Sequence, residues 1–207
     1  MRFKLVLVIL GVVLVLVYGT LAVLIVGFSG RGSAATAPTS EGGTGDGPLT
    51  AREAYALAVS EAQNWREDAQ LVSATASWAN VASEEQLAAD VAWGFTFLSA
   101  QSAETQILSV TRVGAERARE MRSPSSMRTA DVTSWQVDSP EVVNLFLEQG
   151  GRDFLSQHPG ATISLRLGQE EESSRLVWLA IAIQSAEKAT MVLKVDASTG
   201  EVLNDTP

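Results

Sequence analysis

Val91-Ala92-Trp93-Gly94-Phe95-Thr96-Phe97-Leu98-Ser99 sets Trp93, Phe95 and Phe97 at alternate positions, with Gly94, Thr96 and Leu98 between them. A period of two is that of a strand with one apolar face. Eighty-five residues on, Leu176-Val177-Trp178-Leu179-Ala180-Ile181-Ala182-Ile183-Gln184 is a second apolar run with tryptophan at the matching place. Leu108 and Leu193, in the strands expected next, are separated by the same 85 residues.

The order of elements also repeats. Thr50-Ala51-Arg52-Glu53 is a capping-box pattern, and Ala54, Leu57, Ala58, Glu61, Ala62 and Trp65 follow at helical spacing. A helix is expected from Thr50 to about Trp65. Val72, Ala74, Ala76 and Trp78 then alternate with polar neighbours as a strand, Ala79–Asp90 is a loop or a short helix, and another strand covers Thr105–Val113. In the second half, Ser139-Pro140 supplies an N-cap and a first-turn proline. The helix it opens carries Val143, Phe146, Leu147, Phe154 and Leu155; Gly150-Gly151 interrupts it and His158-Pro159-Gly160 ends it. Strands are expected at Ala161–Leu167, Leu176–Gln184 and Thr190–Val195. Matched offsets through helix, strand, strand, strand indicate an internal duplication. The expected fold class is α+β: two tandem α-β-β-β units, 50–122 and 123–207, with antiparallel sheets. One such unit is too small to bury both faces of its sheet, so the two form one module. Pairing of sheet edges and face-to-face packing both satisfy that requirement.

Ahead of the repeats, no residue from Leu5 to Phe28 is charged. At 1.5 Å per residue this span makes a helix of about 36 Å, against about 30 Å of bilayer hydrocarbon. Residues 1–28 therefore read as a membrane anchor. Arg2 and Lys4 precede the span, which places the N-terminus in the cytoplasm and the body outside. A long cleaved signal ending near Gly32-Ser33-Ala34 is the alternative, opposed by Arg31 and by the length of the apolar run. Residues 29–49 are rich in Gly, Ser, Thr, Ala and Pro and read as a flexible tether.

All 24 acidic residues lie at Glu41 or later, in a chain of formal charge −9. An acidic body repels phosphate backbones, so nucleic acid is not an expected partner. The absence of cysteine excludes disulfides, thiol nucleophiles and cysteine-ligated metals. His158 is the sole histidine. It excludes a multi-histidine metal site and reads as a side chain serving the last carbonyls of its helix. Glu170-Glu171-Glu172 lacks calcium-loop spacing and reads as a solvated hairpin tip. Arg112, Arg117, Arg119, Arg122 and Arg128 make one basic stretch at the join of the units, either a solvated connector or a face for anionic lipid or an acidic partner. Trp93 and Trp178, repeat-equivalent, read as core between sheet and helix. No catalytic residue, cofactor site or metal site is assigned.

The helix-then-three-strands order, the closing string Val195-Asp196-Ala197-Ser198-Thr199-Gly200-Glu201-Val202, and Gly150-Gly151-Arg152-Asp153-Phe154-Leu155 with His158-Pro159-Gly160 resemble membrane-anchored bacterial proteins with paired PepSY-like units. In the closing string Gly200 takes the positive φ and Asp196 caps the turn. The first half departs from this pattern, its third strand ending in Thr111-Arg112-Val113-Gly114. The resemblance implies a PepSY/cystatin-like fold and an exported, non-catalytic binding module, in a family that includes propeptides of thermolysin-like peptidases. The expected function is binding of an envelope protein or peptide, with restraint of a peptidase as one form. A sensory or scaffold domain of an envelope complex is the alternative, and a carboxylate-based hydrolase a distant third. An apolar groove between the units favours binding; two carboxyls facing across a pocket favour the enzyme.

Overall fold

In the computed structural model, which describes residues 47–123, 127–171 and 173–203, Thr50 Oγ1 accepts the amide of Glu53 while the Glu53 carboxylate accepts that of Thr50. This reciprocal cap starts α1 (Ala51–Trp65). Ala51, Ala54, Ala58 and Ala62 are fully buried and line one face of α1. Their small side chains let the helix axis approach the bulky floor made by Phe95, Phe97 and Leu108, all at 0 % exposure. The anchor span Leu5–Phe28 and nearly all of the tether lie outside the described residues. Among the described residues no helix is long and apolar enough to cross a membrane.

Seven strands follow: β1 (Gln70–Val81), β2 (Trp93–Ser99), β3 (Glu104–Thr111), β4 (Gly114–Arg122), β5 (Ala161–Gln169), β6 (Leu176–Gln184) and β7 (Ala189–Asp196). They form one sheet in the order β4-β3-β2-β1-β5-β6-β7, and every neighbouring pair is antiparallel. The fold class is α+β. Of the two arrangements left open by the sequence, the halves adopt edge pairing, through β1 and β5. The first unit differs from expectation in having four strands rather than three. After β3 the chain turns through Arg112-Val113, with Thr111 opposite Gly114 at φ +141°, and returns as β4. The basic stretch is thus largely an edge strand.

The registers make the duplication quantitative. Trp93 faces Val110 and Phe95 faces Leu108 between β2 and β3; Trp178 faces Val195 and Ala180 faces Leu193 between β6 and β7. All four pairs keep the 85-residue offset. Ala74 faces Phe95 as Leu165 faces Ala180, so Thr75 and Arg166 are equivalent. Thr75 and Arg166 are also directly opposite each other across β1 and β5. A pseudo-twofold axis therefore passes through that pair.

The second helical segment consists of α2 (Ser139–Phe146), a wide turn at Leu147–Gly151 and α3 (Arg152–Gln157). Gly150 leaves helical geometry at φ +109°, which glycine adopts without the steric penalty of a side chain. The cap is Asp138 rather than Ser139: Asp138 Oδ1 accepts the Ser139 amide at 2.7 Å and the Arg52 amide of α1 at 3.1 Å. Ser139 Oγ in turn accepts the Ala51 amide at 3.0 Å. The N-termini of α1 and α2 meet here, and one carboxylate offsets the positive ends of both. Asp138→Ala should cost about 2 kcal/mol through two uncapped amides and the lost charge. A urea denaturation midpoint unchanged within error would show that the shared cap contributes nothing.

Candidate functional site

The aromatic centre of the molecule crosses the seam between units. Trp93 and Trp178 are at 1 % and 0 % exposure, with ring centroids 6.2 Å apart in an edge-on contact. Trp135 meets Trp178 at 5.9 Å and Tyr55 at 5.7 Å. The indole N–H groups of Trp135 and Trp178 both donate to Val137 O, at 2.8 and 2.9 Å. These rings are packed core, and the three indole N–H groups are satisfied, that of Trp93 by Leu49 O.

A cleft of about 380 Å³ opens beside this centre. Trp93 and Val91 form its floor, Leu87 and Ala88 of a short 3₁₀ helix (Glu84–Ala88) one wall, and Pro140, Val143 and Leu147 of α2 and the turn after it the other. Pro48 and Leu49, at the C-terminal end of the tether, form the lip. Leu49 is pinned there: its carbonyl accepts Trp93 Nε1 at 2.9 Å and its amide donates to Asp90 Oδ1 at 2.8 Å. Asp90 Oδ2 accepts Arg112 Nε at 2.8 Å, and these two bonds hold the Asp90 carboxyl below the usual carboxylate range. Trp78 Nε1 donates to Ala89 O at 3.3 Å and fixes the loop that carries Val91.

A second recess of about 260 Å³ lies next to the first and runs toward Leu155 and Ser156. Glu84, Glu85 and Arg152 line both. The ion pair of Arg152 Nε with Glu84 Oε2, 2.7 Å, stands between the two spaces. The helix N-termini near the cleft are filled by Asp138, Ser139 and Glu53, so they offer nothing to an anion. The chemistry available is apolar contact, with one ion pair that can exchange partners at the partition.

Other residues singled out from the sequence lie elsewhere. The His158 ring does not serve helix carbonyls; Nδ1 pairs with Glu187 and the ring packs on Phe154 at 4.7 Å. Glu170 bonds Lys194 and Ser173, and these hydrogen bonds lower its pKa; Glu172 is outside the described residues. The arginines disperse: Arg117 lies 3.8 Å from Glu61, and Arg128 donates to Glu171 O at 2.7 Å. Among the described residues no three His, Asp or Glu side chains gather as a metal site. The cleft was not foreseen because its lining comes from five separate segments, each apolar residue of which also fits a core pattern.

No protein-family model matches the sequence, and no curated protein matches it. Among solved structures, a protein of Clostridium difficile 630 described as a lipoprotein (CD1622) is similar at a TM-score of 0.49. It is 11 % identical, and the alignment covers 72 % of this chain and 90 % of that one. Similarity at that level transfers neither a role nor a residue.

Proposed function

We propose that the chain is a membrane-anchored, extracytoplasmic PepSY-like module that binds an extended segment of an envelope protein or peptide, without catalysis of its own. The observation that carries this reading is the pair of recesses at the seam, partitioned by Arg152 and Glu84. Together they offer about the range of volume that ligand sites occupy. In an extended segment, residues two apart point the same way and are separated by about 6.6 Å, so successive like-facing side chains would enter the two spaces. The backbone between them would meet the Arg152–Glu84 pair, whose charged groups can bond a peptide amide and carbonyl. Occlusion of a peptidase by such binding is one form of the same mechanism.

The test is photocrosslinking in intact membranes from the full-length chain, with a photoreactive residue at Asn144 on the cleft wall and, as a control, at the exposed Val113, which does not line the cleft. A discrete adduct from position 144, absent from position 113, is the expected result. Val143→Glu should reduce its yield at least about tenfold, because an unpaired carboxylate in an apolar cleft costs more than 1.4 kcal/mol. Identical products from both positions, or none from 144, would sink the binding reading. Recovery of an envelope peptidase would favour restraint; recovery of assembly proteins alone would favour the scaffold.

A further inference from the structure

On the face of the sheet away from the helices, the strand registers set Arg166 between Thr75 of β1 and Leu179 of β6, with Ser164 and Gly168 flanking it along β5. The centre of this face is small and hydroxylic, with Ser73, Ser77, Gly94 and Thr96 on the neighbouring strands. Among the described residues Arg166 is the one charged side chain that β1, β2, β5 and β6 bring to this face; Lys194, paired with Glu170, follows on β7 beyond Leu179. Arg166 is partly buried, and among the described residues no hydrogen bond or ion pair reaches its guanidinium. Neighbouring acids are already engaged: Glu170 with Lys194 and Ser173, and Asp196 Oδ1 with the amides of Ser198 and Thr199. Burial alone pushes the Arg166 guanidinium below the usual arginine value. A desolvated charge without a partner is a standing cost that a bound anion would remove.

Beside the guanidinium runs an apolar stripe. Val177 and Ile181 are at 5 % and 7 % exposure although neither belongs to the helix-side core. Ile181 faces Val192, which is 57 % exposed. The distance from the β5 row to the β6 row is one strand spacing, about 4.8 Å. An α-carboxylate and the side chain on the same Cα diverge by about that much, whereas an aspartate or glutamate within a chain brings no apolar group at that spacing.

We infer that this face binds the free C-terminal carboxylate of a polypeptide ending in an aliphatic residue, with Arg166 as the carboxylate fork and Leu179 and Ile181 as the side-chain contact. The guanidinium matches a carboxylate with two parallel N–H donors, while the neighbouring Thr75 and Ser164 hydroxyls are already bonded to Gly94 O and to the Ser77 hydroxyl. A dense anionic surface such as lipid fits less well, since the body carries an excess of acidic residues. The site lies on the opposite side of the sheet from the cleft and does not depend on it.

The experiment uses the full chain, uniformly ¹⁵N-labelled, in phosphatidylcholine nanodiscs, and follows the Arg166 Nε–H resonance. Three probes are titrated: N-acetyl-L-leucine, N-acetyl-L-leucinamide and inorganic phosphate. Saturable shifts with the carboxylate and none with the amide or phosphate are expected. Arg166→Gln should abolish saturation in amide-backbone shifts of Leu179 and Ile181. Arg166→Lys, which keeps the charge and loses the fork, should weaken binding about tenfold, and guards against a folding artefact in the glutamine variant. Equal shifts with the amide, tighter saturation by phosphate, an undiminished response in Arg166→Gln, or no saturation with any probe would each overturn the assignment.

Discussion

Alanine in place of Trp178 should remove about 4 kcal/mol of folding free energy, the upper range for truncating a fully buried aromatic residue. The ring is at 0 % exposure, meets Trp93 and Trp135 edge-on, and donates to Val137 O. Its loss opens a cavity where the two halves share their core. For a module of this size that should lower Tm by roughly 8–16 °C. Phenylalanine at the same site should cost less, since it retains most of the packing and loses chiefly the indole donor; Val137 O keeps its bond from Trp135. Chemical denaturation of the three proteins measures both steps. A Trp178→Ala protein within 1 kcal/mol of the parent would show that the halves do not depend on this shared centre.

Gly151→Ala should be nearly as damaging, by overpacking rather than by a cavity. A Cβ at position 151 would stand 2.5 Å from Phe146 O and 2.6 Å from its ring. Neither can retreat: the carbonyl belongs to the helix, and Phe146 is buried at 1 % exposure. The backbone would have to shift across the Leu147–Gly151 turn, at a cost of about 3 kcal/mol. Because that turn also carries Leu147 of the cleft wall, the variant should lose Asn144 crosslinking along with stability. Gly47→Ala, where nothing lies within 4 Å of the new methyl, should match the parent in thermal denaturation. A Gly151→Ala protein that also matched it would mean that the turn yields freely.

The fold was legible where one face of an element is dry and the other wet. Trp93, Phe95 and Phe97 alternate because one side of β2 faces α1, and the bounds Leu176–Gln184 follow from the length of a single apolar run. The closing turn was legible for a local reason: Gly200 sits at φ +78°, and Asp196 Oδ1 accepts two amides of the turn. β4 was not legible, because Gly-Ala-Glu-Arg-Ala-Arg-Glu-Met-Arg shows no apolar period. An edge strand buries little, and its charges keep other chains from pairing with the open edge. The signal present was the Thr111–Gly114 turn, whose glycine permits the reversal. Asp138 went unread as the cap because Ser139-Pro140 satisfies the same rule one residue later; only the nearby α1 terminus makes the aspartate the better choice. The cleft lay beyond reach for a different reason. Its walls are brought together by β1–β5 pairing, a contact between strands in different halves that no local pattern encodes.

The same pairing carries a consequence for how the two halves could have come to differ. In a symmetric assembly of two identical half-length chains, the residue on the axis confronts its own copy. Arginine there would face arginine across a strand spacing, and like charges so placed repel. Joining the halves in one polypeptide releases the two sides of the axis from identity, so that threonine can occupy position 75 while arginine occupies position 166. An unopposed cation at the midpoint is therefore a property that an assembly of two identical chains cannot have, because it requires the two halves to carry different residues at positions 75 and 166.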